Sequence, residues 1–309
     1  MTSPKSKAAK PSGGDEQRPS PGAAHQKLEP GLYVVATPIG NLRDITLRAL
    51  DVLKRADLVL AEDTRVTRKL LSAHGISARV EAYHEHNADF AGAKALGALA
   101  EGAAIALVSD AGTPLVSDPG ERLVRDAIAA GHDVIPIPGA SALLAAVSAA
   151  GLPGGRFMFA GFPPPKSKAR REDFAALVAV PASLVFFESG PRLAESLSDM
   201  AAIFGARQAV IGRELTKMFE EFRRGALPDL ARAAALGDAP KGEIVIVIAA
   251  PPPQVSITEA DIEAGTADAE LRSALARMPV REAAQEVAAI LDAPRRSLYQ
   301  RALLLKDQA

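Results

Sequence analysis

The sequence contains no cysteine and no tryptophan, and these absences restrict what the protein can be. Without cysteine there are no disulfide bonds and no thiolate metal sites, and the five histidines do not follow a ligand spacing such as His-Glu-x-x-His. Aromatic residues make up only 4% of the chain, which argues against the base-stacking platforms of RNA-recognition modules. The sequence therefore predicts neither a bound metal nor an aromatic RNA-binding sheet.

Long apolar runs and an excess of charge are also missing. No run reaches the roughly 18 to 20 apolar residues that a membrane-spanning helix needs. The N-terminal lysines are not followed by an apolar stretch, so the start of the chain does not resemble a secretory signal, and we expect the protein in the cytoplasm, away from membranes. Because the net charge is only -1, any binding of nucleic acid must depend on local basic patches.

What the chain has in quantity is aliphatic residues in an alternating strand and helix pattern. Residues 1–30 are rich in Ser, Pro, Gly and Ala and predict a disordered tail. From Leu32, apolar runs alternate with helical segments, the first of which has Asp44 placed as its N-cap. This alternation predicts an α/β domain over 31–152 with a mostly parallel sheet.

Two Gly/Pro clusters divide the rest of the chain. The cluster at 152–155 predicts a domain boundary, and the segment 153–250 predicts a second α/β domain with a mixed sheet and fewer helices. The segment 219–225, FEEFRRG, predicts a possible further strand of this domain. After the break at 251–254, residues 255–309 predict a module of three short helices separated by Pro279 and Pro294.

Three loops at strand ends are the main candidates for ligand binding. They span residues 37–42, 109–120 and 136–142, and the twelve residues of the second are many for a strand-to-helix connection. Their small residues let the backbone approach a ligand, while Asp110 and Asp118 can accept hydrogen bonds from ribose hydroxyls or an amino group. One such loop is also what an ordinary turn uses, but three at the carboxyl edge of one sheet can converge on one cleft.

A basic segment follows the triple proline at 163–165. It places four cations within six residues: Lys166, Lys168, Arg170 and Arg171. We interpret it as a patch that contacts RNA phosphates, the alternative being a solvated charge run beside Glu172 and Asp173. In the last helix, Arg295 and Arg296 predict a second RNA contact if the three helices form a helix-turn-helix-like module, although a packing or dimerisation helix is an equal alternative.

Several of these motifs together resemble the tetrapyrrole methylases. The stretch 38–41 followed by 45–49 resembles the opening signature of that family, Gly112-Thr113-Pro114 falls where the family has Gly-Asp-Pro, and 138–141 matches its next element. The resemblance covers roughly residues 31–250. It implies a two-domain tetrapyrrole-methylase-like fold, S-adenosylmethionine bound in the cleft between the domains, and a homodimer.

Within that superfamily the chain is most similar to the ribosomal RNA ribose methyltransferases. The motifs that carry this likeness are 62–65, 109–120, 166–171, 214–217 and 297–299. Thr113, in place of the porphyrin-type aspartate, favours the RNA branch over corrinoid or sirohaem substrates. The resemblance thus implies an enzyme that 2′-O-methylates a ribose, of a cytidine, in 16S ribosomal RNA, with the assembled small subunit as its substrate.

The resemblance also implies which residues hold the cofactor. They are the residues of the three loops together with one glycine of the second domain: Pro38, Gly40, Asp110, Ala111, Gly112, Thr113, Asp118, Ser141, Ala142 and Gly242.

Chemistry at a ribose hydroxyl needs further polar groups, because this hydroxyl is a weak nucleophile until its proton is removed. We expect Lys217 to act if burial lowers its pKa, with Glu214 orienting it, and Arg65 to hold a phosphate or stabilise developing charge. The alternatives are a surface ion pair for Glu214 and Lys217 and a helix-start charge for Arg65.

Two other functions stay open on the sequence. The same fold and cofactor would serve a methyltransferase of a corrinoid or sirohaem precursor, although a small tetrapyrrole needs neither the basic segment nor the C-terminal helices. The second alternative function is that of a non-catalytic nucleic-acid-binding regulator, but this function would leave the cleft-forming α/β residues unexplained.

Overall fold

The computed structural model describes residues 27–152, 155–252 and 258–307. The predicted tail lies mostly outside these ranges, at 1–26, as do residues 153–154 and 253–254 of the two predicted boundaries. The chain divides into two compact units, one ending at Ala140 and the other beginning at Ser141. The domain limits at 152 and 250 stay predictions.

The first unit is built on a fully parallel sheet. In chain order its elements are β1 (Gly31–Val35), α1 (Leu47–Arg55), β2 (Leu58–Ala61), α2 (Thr64–Ala73), β3 (Val80–Ala82), α3 (Ala88–Ala100), β4 (Ala104–Val108), α4 (Glu121–Ala129) and β5 (Val134–Ile137). The five strands lie in the order β3-β2-β4-β1-β5, and every neighbouring pair is parallel. The predicted fold class is confirmed for this sheet.

Both faces of this sheet are buried, which explains the uninterrupted apolar runs of its strands. On one face, Tyr33 and Val35 of β1 pack with residues of α1 and α2. On the other face, Leu32 packs with residues of α3 and α4. Side chains that alternate along one strand thus enter two separate cores.

The predicted N-cap of the first helix is wrong by two residues. Helix α1 begins at Leu47, and its N-cap is Thr46, whose hydroxyl accepts a hydrogen bond from the Ala49 backbone N–H at 3.1 Å. Asp44 ends a short 3-10 turn instead. The intervening Ile45 has an extended backbone, so the helix cannot begin before it.

The second unit contains a mixed sheet. Its elements are α5 (Ala142–Ala150), β6 (Phe157–Phe159), α6 (Ser167–Leu177), β7 (Ser183–Ser189), α7 (Leu193–Phe204), β8 (Gln208–Arg213), β9 (Glu221–Ala226), α8 (Leu227–Leu236) and β10 (Glu243–Ile248). The strand order is β6-β7-β10-β8-β9, with only β6 and β7 parallel. The mixed sheet is confirmed, and the weak strand signal in FEEFRRG corresponds to β9.

Sequence analysis missed two helices of this unit, α6 and α8. Helix α6 buries only Phe174 and the charged Arg170, so it lacks the apolar stripe that marks an amphipathic helix. A helix with a charged residue on its buried face resembles a polar loop in the sequence.

The C-terminal segment is entirely helical in its described part. Its helices are α9 (Glu259–Glu263), α10 (Asp268–Leu275), α11 (Val280–Leu291) and α12 (Arg295–Asp307). They share a small core that includes Leu271, Ala284 and Leu298. The helical module is confirmed, with one more helix than predicted. Among the described residues, none of the helices is both long and apolar enough to cross a membrane.

Candidate functional site

The strand order places three loops side by side at one edge of the parallel sheet. Strands β4, β1 and β5 are neighbours, and the three predicted loops follow their carboxyl ends. The connection from β1 leads to β2 on one side, whereas the connection from β4 leads to β5 on the other. Open α/β sheets bind ligands at such a reversal of direction.

The loops also contact one another. Thr37 and Gly112 form a reciprocal backbone bridge, with N···O distances of 2.8 and 3.0 Å. The Thr113 hydroxyl donates to the Ala140 carbonyl at 3.2 Å, which joins the second loop to the third. The convergence expected from sequence is therefore present within the first unit.

Glycine is required at the centre of this contact. Gly112 has φ +83°, a left-handed conformation, and a Cβ there would lie 3.3 Å from Ile39 Cγ2. Gly139 is also closely packed, because a Cβ at this position would lie 3.0 Å from the Cβ of Ala36. Glycine at these two positions therefore permits the close packing of the loops against one another and against Ala36.

Arg48 is a residue of this region to which sequence analysis gave no role. It lies on α1, and its guanidinium donates to the Pro136 carbonyl at 2.8 Å, which fixes the start of the third loop. The sequence feature that could have identified Arg48 is its place in the family signature at 45–49.

The remaining predicted cofactor residues fall in both units. Pro38 is buried and Gly40 exposed in the first loop, and Ala111 is exposed in the second. Ser141 is the N-cap of α5, where its hydroxyl accepts from the Leu144 N–H at 3.4 Å, and Ala142 is the first residue of that helix. Gly242 precedes β10 with φ +98°.

Carboxylates surround the second loop. Asp110 Oδ1 accepts a hydrogen bond from the Asp63 backbone N–H at 2.9 Å, linking the ends of β4 and β2. Burial raises the pKa of Asp118 to about 6, a hydrogen bond from Ser109 acts against it, and the charges of Glu62 and Asp110 raise it further.

Glu62 also belongs to this group of carboxylates, and sequence analysis assigned it no role beyond its place in the motif 62–65. Burial raises its pKa, as does the charge of Asp110. Its signal was its place directly after β2. Among the residues that the structure describes, no group of His, Asp and Glu is arranged to hold a metal ion.

Arg65 lies in the first turn of α2 with an exposed side chain. Its guanidinium donates to both oxygens of Asp63, at distances down to 2.6 Å, and hydrogen bonds from Arg65 lower the pKa of Asp63 to about 2. Asp63 is also the N-cap of this helix. The arrangement holds a cation in place with part of its surface open to solvent.

Lys217 and Glu214 form an ion pair, as one of the two interpretations anticipated. The Lys217 ammonium lies 2.8 Å from Glu214 Oε1 and 2.9 Å from Glu243 Oε2. Burial acts to lower the pKa of Lys217, but the hydrogen bonds to Glu214 and Glu243 outweigh it, and the pKa is raised. A general base would need a lowered pKa, so the expectation that burial lowers the pKa of Lys217 is wrong.

The basic segment forms the N-terminal part of helix α6, and the helix buries one of its four predicted RNA contacts. Lys166 is the N-cap of α6, and Lys168 and Arg171 are exposed on its outer surface. Arg170 is only 1% exposed, and its Nε donates to Asp199 at 2.8 Å. A phosphate cannot reach this guanidinium, so the prediction that Arg170 contacts RNA is wrong.

Arg192, which pairs with the buried Glu188, donates a hydrogen bond to the proline run that precedes this helix. Arg192 donates from Nη2 to the Pro163 carbonyl at 2.5 Å, and its Nε lies 3.4 Å from Glu188. The Glu188 carboxylate is fully buried and also accepts from the Ser196 hydroxyl at 2.5 Å. Sequence analysis missed this pair. The sequence feature that could have indicated it is a glutamate near the end of the apolar strand β7.

In the C-terminal helices, Arg295 and Arg296 are exposed in the first turn of α12. Arg301 lies further along the same helix, but it donates to both oxygens of Asp268 at 2.7 and 2.6 Å. The two predicted arginines therefore stay accessible, whereas Arg301 is held by an ion pair within the module.

Two family models match the chain one after the other. The model described as Tetrapyrrole (Corrin/Porphyrin) Methylases matches residues 31–231, and the model described as RsmI C-terminal HTH domain matches residues 260–306.

Curated relatives match over most of their own length. A protein of Mesorhizobium japonicum named Ribosomal RNA small subunit methyltransferase I is 56% identical over 91% of this chain and 94% of its own. Proteins of the same name are 50% identical in Erythrobacter litoralis, over 91% of this chain and 97% of theirs, and 45% identical in Neisseria meningitidis serogroup A, over 90% and 94%.

Solved structures share the fold at low identity. A cobalt precorrin-4 methyltransferase has a TM-score of 0.54 at 20% identity and covers 71% of this chain and 94% of its own. A diphthine synthase has a TM-score of 0.54 at 18% identity, covering 71% and 89%. At these identities the likeness concerns the arrangement of helices and strands alone.

Proposed function

This chain belongs to the tetrapyrrole (corrin/porphyrin) methylase family, and we propose that it methylates small-subunit ribosomal RNA with S-adenosylmethionine as methyl donor. The observation that carries the proposal is the succession of two matches, a methylase model over 31–231 and a C-terminal helical model over 260–306. The three curated relatives described above are each named Ribosomal RNA small subunit methyltransferase I. A corrinoid or sirohaem precursor would leave the C-terminal module without a task.

The proposed cofactor residues are those of the three loops together with Ser141, Ala142 and Gly242. The loops fit the group because they converge at the carboxyl edge of the sheet, where Thr37 bridges Gly112 and glycine at 112 and 139 permits their close approach. Asp110 and Asp118 supply carboxylates for ribose hydroxyls or an amino group. When bound, S-adenosylmethionine supplies an already activated sulfonium methyl, so the task of the chain is mainly to position the acceptor oxygen.

The proposed acceptor is a ribose 2′-hydroxyl, of a cytidine, in 16S RNA. Lys217 acts in this proposal as a fixed cation, because its raised pKa keeps the ammonium protonated at neutral pH. Such a cation favours the developing alkoxide or holds a phosphate, and Glu214 positions it. Arg65, anchored by Asp63, is proposed to hold a phosphate of the substrate.

The RNA-binding residues proposed are the exposed cations of two helices: Lys166, Lys168 and Arg171 of the α6 region, and Arg295 and Arg296 of α12. The substrate in this proposal is the assembled small subunit in the cytoplasm, and the active form is a homodimer. Sedimentation of the purified protein tests the dimer directly.

Methyl transfer to subunits that lack the modification tests the function. Small subunits from a strain without this gene are incubated with the protein and tritium-labelled S-adenosylmethionine, and the labelled nucleotide is mapped. A 2′-O-methyl group blocks alkaline cleavage of the next phosphodiester, so the label should remain in an alkali-resistant dinucleotide that contains cytidine. Label in a mononucleotide would assign the methyl to a base.

Two further measurements separate the alternatives. A regulator without catalysis would show no S-adenosylmethionine binding by calorimetry and no transfer. A methyltransferase of tetrapyrrole precursors would bind the cofactor, leave the subunits unlabelled and methylate a corrinoid or sirohaem precursor in the same assay.

A further inference from the structure

The C-terminal helices carry a depression of about 570 Å³ lined by three arginines and a tyrosine. Arg281 lies in the first turn of α11, and Arg295 and Arg296 lie in the first turn of α12. Tyr299 follows one turn later and is 41% exposed. Three guanidinium groups and an aromatic ring therefore face the same space.

The three arginines differ from their neighbours in their lack of partners. In the described part of the module, 258–307, Arg277 pairs with Glu286 at 3.0 Å and Arg301 with Asp268 at 2.6 Å. Within the same residues, Arg281, Arg295 and Arg296 have no ion pair or side-chain hydrogen bond. Their donors are available to a ligand.

This arrangement works against the stability of the module. Cations in the first turn of a helix are repelled by the positive end of its dipole, and Arg295 and Arg296 both occupy that position in α12. Three like charges around one depression also repel one another. Because none of the three arginines forms an ion pair within the described residues, their mutual repulsion is best explained by an anion that binds in the depression.

We propose that this pocket binds a single-stranded segment of the RNA substrate, with the arginines on successive phosphates and Tyr299 stacked on an unpaired base. This inference rests on the proposed function. Guanidinium groups match phosphate oxygens in pairs of parallel hydrogen bonds. An aromatic face can stack only on a base that is not already in a helix, which selects single-stranded RNA over duplex.

The surroundings of Arg296 limit where the RNA can extend. Arg296 also lines a second depression, shared with Glu259 and Glu263. Carboxylates repel phosphates, so we expect the bound strand to avoid this second depression.

Binding of a labelled single-stranded oligoribonucleotide of mixed sequence, measured by fluorescence polarisation against salt, tests the pocket in the full chain. Arg281→Ala, Arg295→Ala and Arg296→Ala should each reduce the slope of log affinity against log salt by about 0.7. Tyr299→Leu should weaken binding roughly tenfold with an unchanged slope, and Tyr299→Trp should restore it. Arg272→Ala, which removes an exposed cation of α10 outside the depression, is the matched control.

Pocket variants that bind like Arg272→Ala would overturn the proposal, and so would equal loss of affinity for a duplex of the same length. A change in sedimentation without a change in RNA binding would assign the surface to self-association and overturn it too. Methyl transfer to small subunits by the wild-type protein tests the proposed function separately. If the wild-type protein transfers the methyl group but the pocket variants bind RNA as Arg272→Ala does, the pocket is refuted and the proposed function stands.

Discussion

The carboxylate of Glu214 lies directly over Gly242, so that a Cβ on the glycine would overlap it. The same carboxylate accepts hydrogen bonds from the Glu243 backbone N–H at 3.0 Å and from the Lys217 ammonium at 2.8 Å. Glu214 itself has φ +50° and Thr216 has φ +66°. The loop between β8 and β9 is thus held in a strained conformation by contacts that only glycine at position 242 permits.

Gly242→Ala should therefore displace Glu214 and release Lys217. Because φ is +98° at this position, we expect a loss of about 1–3 kcal/mol in the free energy of unfolding, together with a fall in methyl transfer. Urea denaturation and transfer assays measure the two effects. Gly237→Ala is the control, since its φ is −100° and its Cβ would meet only Ala233 O at an ordinary 3.6 Å. Equal behaviour of the two variants would contradict the account.

Substitution of Lys217 should reveal a cation and not a base. With its pKa raised by Glu214 and Glu243, the ammonium stays protonated from pH 6 to 9. Lys217→Met should cut single-turnover transfer by about tenfold or more, and Lys217→Arg should retain part of the rate. The pH profile of the remaining rate should keep its shape in both. Lys241→Met, which removes an exposed cation nearby, should leave the rate unchanged. Loss of an ionisation from the Lys217→Arg profile would restore the base role.

Arg170 and Arg171 should behave oppositely although they are adjacent. Arg170→Met leaves the Asp199 carboxylate buried without its cation, which should cost about 3–5 kcal/mol in urea unfolding. Adding Asp199→Leu should recover much of this loss. Arg171→Ala should change stability by no more than about 0.5 kcal/mol and instead reduce the salt dependence of RNA binding. An Arg170→Met protein of normal stability would be evidence against the buried pair.

The sequence predicted the first sheet well because both of its faces are covered. Runs such as 104–108 are apolar throughout, and a run of this kind between helical segments has few other solutions. Helix α6 escaped prediction because its buried surface carries Arg170, whose partner Asp199 lies 29 residues away on α7. A pair formed by tertiary contact leaves no local pattern.

The candidate site was predictable in part, for a related reason. Gly and Pro at strand ends identified the three loops, since backbone conformation requires those residues locally. The state of each charged group was not predictable, because it depends on neighbours distant in sequence. Glu243, 26 residues from Lys217, determines the sign of the pKa shift of that lysine together with Glu214.

Asp118 should make stability depend on pH. Burial raises its pKa to about 6 in the folded chain, against 3.8 for an unperturbed aspartate. The folded state then holds a proton that the unfolded state has lost between these values, so stability falls as pH rises from about 4 to 6 and is constant above. Because Asp118 is only partly buried, solvent screens part of this effect, and Asp118→Asn should raise the free energy of unfolding by about 1–2 kcal/mol at pH 8 and have little effect at pH 4. A gain of the same size at both pH values would exclude titration of Asp118 as the cause.

Gly112→Val should abolish cofactor binding while the fold persists. At φ +83°, valine is strained, and its branched side chain would enter the contact between the loops after β1 and β5, starting 3.3 Å from Ile39 Cγ2. Loss of stability from backbone strain does not by itself test the cofactor site, because valine at any glycine with positive φ would cause it. Gly75→Val separates the two effects, since Gly75 has φ +64° but nothing within 4 Å of its Cβ. Both variants should lose about 1–3 kcal/mol of stability, and only Gly112→Val should lose calorimetric binding of S-adenosylmethionine. Wild-type affinity in Gly112→Val would remove these three loops from the cofactor site.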